Sequence, residues 1–313
     1  MRQTANGAGV LPTHCAVCAQ IAASYLMGIC AASAQSDSNL AQDLTNPVAS
    51  VIQVPFQNNF DWGGGPHNDA FRYTLNIQPV IPFPLNSDWN LIVRTIVPFA
   101  SFDGLFPQTE TGLADTLQSF FLSPSRPTQS GIVWGAGPVF LYPTATNAFF
   151  AGRQWGAGPT GVVLQINGPW TYGVLANHVW SLTSVPSPTA PGAPPSESET
   201  EEMIAEGPTT PGRWRINNTF VQPFLTYAFP THTTVTLTSE TQYNWTTRQW
   251  TVPIAAGVNQ LVRVGGQIIQ LGGTFRYFVE RPTGGPTWGL RFSAAGCCRP
   301  DASLKQARRK GPH

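Results

Sequence analysis

The sequence predicts an all-β fold: a transmembrane antiparallel up-and-down β-barrel of about twelve strands. Three observations predict it. Strand-length stretches alternate apolar and polar residues, the links between them sort by length, and tryptophans gather at their ends. Charged residues fill only 11% of the 313 positions, against about 25% in a typical soluble domain. The 30 glycines and 29 prolines imply many turns and few long helices. A net charge of +1 gives no argument for a nucleic-acid partner. No apolar run reaches the ~18 residues of a helical membrane span, so a chain this poor in charge would cross a membrane with strands.

Residues 1–34 read as a secretory signal. Arg2 is followed by an apolar or small run from Ala16 to Ala32, and Ala32-Ser33-Ala34 ahead of Gln35-Ser36 places cleavage after Ala34. Cys15, Cys18 and Cys30 leave with that segment. The mature chain then lacks cysteine until the vicinal Cys297-Cys298, which supports neither a disulfide framework nor a structural zinc. Residues 35–48 make a short periplasmic segment, with a helical turn at Leu40–Thr45 before Pro47. The barrel is expected over 49–296 and a divergent basic tail over 297–313.

The stretch Thr234–Trp245 shows the pattern most clearly. Val235, Leu237, Thr241, Tyr243 and Trp245 share one parity, and Thr236, Thr238, Glu240, Gln242 and Asn244 the other. Side chains alternate faces along a strand, so one face is greasy and ends in aromatic residues while the other is polar. Similar runs are expected at Val51–Gln57, Phe71–Val80, Asn90–Pro98, Leu113–Leu122, Ile132–Leu141, Gly156–Ile166, Trp170–Trp180, Phe220–Tyr227, Thr251–Val262, Ile268–Phe278 and Trp288–Ser293. Leu113–Leu122 alternates less cleanly. Twelve is an even number, as single-chain bacterial barrels require.

Links after odd strands are long, as at 58–70, 99–112, 142–155, 181–219 and 279–287, with 246–250 the exception. Links after even strands are usually shorter, as at 167–169, 228–233 and 263–267. Long loops at one end and tight turns at the other mark an outer-membrane barrel. The insertion 184–212, which contains S-E-S-E-T-E-E, cannot bury much apolar surface and is expected to be disordered and extracellular. Trp89, Trp134, Trp170, Trp180, Trp245, Trp250 and Trp288 lie near strand ends, where interfacial girdles place them. Pro55, Pro79, Pro138, Pro223 and Pro253 fall inside expected strands and should mark bulges or strand ends, because a closed barrel has no free edge. W-G-A-G-P occurs at Trp134–Pro138 and Trp155–Pro159, beginning adjacent antiparallel strands from opposite rims.

L-A-Q-D-L-T-N-P-V-A-S (40–50), V-P-F-Q-N-N-F (54–60), F-R-Y-T-L-N-I-Q-P-V-I-P (71–82), W-N-L-I-V-R-T-I-V-P (89–98), the two W-G-A-G-P phrases, G-P-W-T-Y-G-V-L-A-N-H-V-W-S (168–181) and G-G-P-T-W-G-L-R-F (284–292) carry a resemblance over nearly all of 38–292. The chain resembles the bacterial outer-membrane "transporter" proteins of the meta-pathway of phenol degradation, sometimes labelled neuromedin U. The resemblance implies an exported Gram-negative outer-membrane channel. Such a protein meets lipid, lipopolysaccharide, periplasmic chaperones, the barrel assembly machinery and small solutes, and has no cofactor. Two departures stand out: the insertion is longer than the family's loop, and the stretch after Phe292 replaces an apolar strand ending in an aromatic residue.

By parity Arg72, Arg94, Arg276 and Arg291 point into the lumen from strands that are neighbours once the last pairs with the first. Asp115 and Glu240 are the inward acids, and Asn76, Gln78, Asn177, Gln242 and Gln270 add neutral lining. The arginines would favour anionic solutes; equally, arginine–carboxylate pairs would simply brace the lumen. A non-conducting structural or adhesin-like barrel is the rival reading. A barrel hydrolase is a third, but His178 and its neighbour Asn177 face opposite sides and cannot act together. Asp61 and Asp69, flanking Gly63-Gly64-Gly65, are expected to solvate an outer loop. Neither a phosphate-loop context nor a GxSxG elbow occurs, so no enzyme is expected.

Overall fold

Alternation becomes a wall once each strand finds its neighbour. The computed structural model describes residues 46–48, 51–105, 108–146, 150, 152–183, 185–186, 213–264 and 267–298. The expected signal over 1–34, the expected turn at 40–45, most of the insertion 184–212 and the tail after Cys298 lie outside the described residues. Twelve strands follow one another: β1 (Ile52–Gly64), β2 (Ala70–Ile77, continuing as Val80–Pro84), β3 (Trp89–Asp103), β4 (Glu110–Leu113, continuing as Thr116–Pro124), β5 (Ile132–Tyr142), β6 (Gly156–Asn167), β7 (Trp170–Ser181), β8 (Asn217–Ala228), β9 (Thr233–Ser239, continuing as Thr241–Asn244), β10 (Gln249–Val264), β11 (Gln267–Glu280) and β12 (Trp288–Cys298). Each pairs antiparallel with the next, and β12 returns to β1 through a register running from Ile52↔Cys298 to Trp62↔Trp288. The fold is a closed up-and-down barrel, all-β among the described residues.

Several strands outrun their expected ends. β1 continues through Asn58, Asn59 and Asp61 to Gly64, and β3 to Asp103, so the first two long links shrink to 65–69 and 104–109. The sorting of loops by length is therefore less sharp than the sequence suggests, and rests on 143–155 and 182–216. β12 runs five residues past Ser293, and Ala294, Ala295 and Gly296 keep the pairing with β1. The two-residue turn Gly168-Pro169 joins β6 to β7, and Gly168 supplies the positive φ (57°) that such a turn needs.

The irregular strands have specific causes. In β4 both Ala114 and Asp115 are fully buried, and inward residues then change from even to odd numbers. One extra residue is a β-bulge, and it explains the poor alternation of Leu113–Leu122. Prolines bring no N–H to a ladder, yet the β1–β12 register passes unbroken through Pro55↔Ala295, so Pro55 marks neither a bulge nor a strand end. Pro138 sits directly opposite Pro159, so the two W-G-A-G-P copies cross at their prolines and begin at opposite rims. Beside them a Cβ on Gly158 would stand 1.6 Å from the His178 carbonyl oxygen; only glycine permits that approach. Pro223 on β8 and Pro253 on β10 flank the interruption in β9 at Glu240: pairing on the β8 side skips from Val221↔Thr241 to Phe224↔Thr238, and on the β10 side from Thr251↔Gln242 to Ile254↔Ser239.

Outside, Leu225, Leu237, Ile254, Val258, Leu271, Phe275 and Phe292 are exposed in a band. Tryptophans border it. Trp89, Trp134 and Trp170 lie at the short-turn rim, and Trp155, Trp180, Trp245, Trp250 and Trp288 at the other. That is the surface a bilayer demands.

Inside, the barrel has two unlike halves. From β3 to β8 the inward residues Ile92, Ile96, Leu117, Phe121, Val139, Leu141, Leu164, Leu175, Val179 and Phe220 are at most 2% exposed, and Val48 of the segment before β1 packs among them. The polar inner face expected from alternation is thus corrected in this half, which side chains fill as a dry core. The other half is polar.

Candidate functional site

The polar half is built by β1, β2 and β9–β12, whose inward positions carry charge at one level and amides or hydroxyls elsewhere. Arg276 donates from Nη1 to Asn59 Oδ1 and from Nη2 to Asp61 Oδ1, each at 2.9 Å. Arg291 donates from Nε to Asn59 Oδ1 at 2.6 Å and grips Glu240 with both terminal nitrogens, at 2.5 and 2.8 Å. Arg72 Nε lies 4.0 Å from Asp61 Oδ2, and Arg276 Nη1 lies 4.0 Å from Glu240 Oε2. Three guanidinium groups thus share two carboxylates, all at 6% exposure or less. Charges so buried persist only when paired and hydrogen-bonded.

Glu240 belongs to β9 and Arg291 to β12, so the pair crosses the lumen past β10 and β11. Alanine and glycine clear the way, since β10 offers Ala255 and Gly257 to the interior there. Arg276 and Arg291 also reach over the closing seam to Asn59 and Asp61 on β1. Asp61 therefore does not solvate an outer loop, as expected from sequence; it is an inward residue of β1 at 0% exposure. The signal was its shared parity with Gln57 and Asn59, hidden by Gly63-Gly64-Gly65 beyond it.

Arg94 stands apart. It lies on β3 eight residues from Phe102, the residue opposite Arg72, or about 26 Å along the strand. There it donates to Gln78 Oε1 at 3.2 Å, and Gln78 passes a hydrogen bond to Gln57 at 3.1 Å. The four arginines form a group of three and a separate fourth. Asp115 also faces inward, but its oxygens accept the backbone N–H groups of Ala145 and Arg153, each at 3.0 Å. It holds the link 143–155, whose Phe150 is fully buried 5.1 Å from the Phe102 ring.

Above the charges, toward the long-link rim, the inner face carries Asn177, Asn218, Gln242 and Asn244, all 8% exposed or less. Both side-chain polar atoms of Asn177 and of Asn218 lack a partner among the described residues, although buried amides nearly always find one. Asn76 is buried at 0% near the charges. Below them Gln222, Thr236, Thr238, Asn259, Gln270, Thr274 and Ser293 point inward and are partly exposed, forming a wet vestibule at the short-turn end. Asn259 and Ser293 press on Gly272, where a Cβ would meet them at 2.0 and 2.5 Å.

His178 points outward from β7. Its Nδ1 lies 2.7 Å from Thr219 Oγ1 and its ring 4.1 Å from Trp180, while Asn177 faces inward. Trp245 Nε1 donates to the same Thr219 hydroxyl at 2.8 Å. This is a girdle cluster. Among the described residues no group of three or more His, Cys, Asp or Glu side chains could hold a metal ion.

No family model matches the chain, and no curated protein does. Its fold is that of an outer membrane channel from Pseudomonas putida F1, with a TM-score of 0.55 at 13% identity over 79% of this chain and 94% of that one. Looser likenesses are to the NanC porin (TM-score 0.44, 9% identity, 78% and 98% covered) and to outer membrane phospholipase A from Escherichia coli (0.40, 13%, 85% and 98%). The twelve-strand arrangement thus recurs in a solved outer-membrane barrel with little sequence in common.

Proposed function

We propose that the chain is an outer-membrane channel for the passive passage of small solutes, with a preference for anions. The observation that carries this reading is the one-sided interior: a polar face on β9–β12, β1 and β2, with amides of β7–β9 above, three arginines in the middle and a partly exposed vestibule below. A barrel needed only as a scaffold would gain more from the dry packing of its other half. Arginine excess over carboxylates among the described residues of this level favours anions. Aromatic solutes enter only through the resemblance to the phenol-degradation proteins. Export through a cleaved signal, handling by periplasmic chaperones and the assembly machinery, and residence among lipid and lipopolysaccharide belong to the same reading.

Fractionation should place the cleaved protein in outer membranes, with a gel mobility that shifts on heating. In planar bilayers it should conduct, with anions favoured. Intact inserted protein without current would instead support the structural or adhesin-like reading. The hydrolase reading requires lipase or protease activity that His178→Ala abolishes.

A further inference from the structure

We infer that the Arg291 guanidinium is a binding site for a solute carboxylate, and that Glu240 is the internal carboxylate which occupies it until such a solute arrives. This rests on the channel reading and adds to it a ligand class and a moving part. A guanidinium fork with two parallel N–H groups fits a carboxylate side-on, and Glu240 fills the Arg291 fork in that way, at 2.5 and 2.8 Å. A monocarboxylate presents the same two oxygens, and Asn59 at 2.6 Å would keep Arg291 aimed.

Displacement requires that Glu240 can leave, and its position in the wall allows this. Glu240 falls in the break of β9. Continuing the registers on either side places it opposite Gln222, next to Pro223 on β8, and opposite Pro253 on β10. The registers skip Glu240 on both flanks, and Pro253, which stands opposite it on β10, brings no N–H. The departing side chain has somewhere to go: Thr236, Thr238 and Thr274 of the vestibule lie on the same inner face and are partly exposed. On the approach side, the amides of Asn177 and Asn218, which lack a partner among the described residues, supply donors and acceptors to a solute descending from the long-link rim. Among the described residues this level carries three guanidiniums against two carboxylates, a balance that favours an arriving anion.

The test uses the full mature chain in detergent and in planar bilayers, with benzoate as probe and benzamide as its uncharged control. Removing the internal competitor removes the occupancy penalty on the apparent affinity. Glu240→Ala should therefore bind benzoate about tenfold more tightly than wild type, and benzoate but not benzamide should raise its thermal midpoint. Benzoate should also block or flicker the wild-type current at concentrations where benzamide does nothing. Pro253→Val, which restores a ladder donor opposite Glu240, should weaken the benzoate effect. If Glu240→Ala does not assemble, the wild-type comparison of benzoate with benzamide decides alone. Conduction indifferent to both probes overturns the site and leaves the channel; benzoate-specific binding without conduction keeps the site and removes the channel.

Discussion

At the scale of single residues, Asp61 shows what an inward charge costs. It is fully buried and shared between Arg276 at 2.9 Å and Arg72 at 4.0 Å. Removing one partner of a buried pair leaves an uncompensated charge and costs about 3–5 kcal/mol, whereas removing both can be nearly neutral. Arg276→Met should therefore lower the urea midpoint for unfolding from vesicles more than Arg276→Met combined with Asp61→Asn. A double variant no better than the single would mean that Asp61 finds enough compensation elsewhere. The sequence made half of this legible. Parity alone pointed Arg72, Arg276, Arg291 and Glu240 inward, because period two is a local property of a strand. Their partners were not legible, since contact across a lumen depends on the register of non-adjacent strands. Asp61 was lost for a different reason: a polar run leading into three glycines has the composition of a turn.

At the scale of elements, the break in β4 is the most instructive. A bulge leaves backbone groups without ladder partners, and in a membrane these must be satisfied from within. The link 143–155 satisfies them. Thr144 Oγ1 accepts the Thr116 N–H at 2.8 Å and donates to the Ala114 carbonyl at 3.0 Å; Thr146 Oγ1 accepts the Leu113 N–H at 3.2 Å. Asp115 then fastens the far side of the link. The described part of this link, at 144–146 and Arg153, is thus a strap tied to β4 rather than a free loop. Asp115→Ala orphans the N–H groups of Ala145 and Arg153, at a cost of about 1–3 kcal/mol each where they are buried. Hydrogen exchange across 143–155 should quicken while β8–β12 stay protected. Gly112→Val should do the same sterically, since even a Cβ there would lie 2.1 Å from Thr146 Oγ1. Protection unchanged in both variants would show that the strap is held by other contacts. None of this could be read ahead, because Thr144 and Thr146 look the same in sequence whether they solvate a rim or replace a strand partner.

At the scale of the whole molecule, the governing fact is that inner and outer faces obey opposite rules at adjacent positions. Thr236 and Leu237 are neighbours on β9, yet Thr236 meets the vestibule and Leu237, 50% exposed, meets what surrounds the barrel. If that surrounding is lipid, a cation at Leu237 must be dragged into hydrocarbon or snorkel out of it, costing about 2–4 kcal/mol near the midplane. A cation at Thr236 remains in water and adds to the arginine excess. Leu237→Arg should accordingly lower the folding free energy measured by urea titration in vesicles, with ion selectivity unchanged. Thr236→Arg should fold nearly as well as wild type and shift the reversal potential toward anions. A soluble sandwich would reverse the outcome, with Leu237 tolerant and Thr236 not. The twelve strands, their closure and their alternation were legible because each depends on short-range pattern repeated around the wall. The dry half of the interior was not, since Ile96, Leu141 and Leu175 sit in runs apolar on both faces, where alternation has no contrast to show. Selectivity should therefore respond to inward substitutions on β9–β12 and hardly at all to equivalent ones on β3–β7, which would alter stability instead.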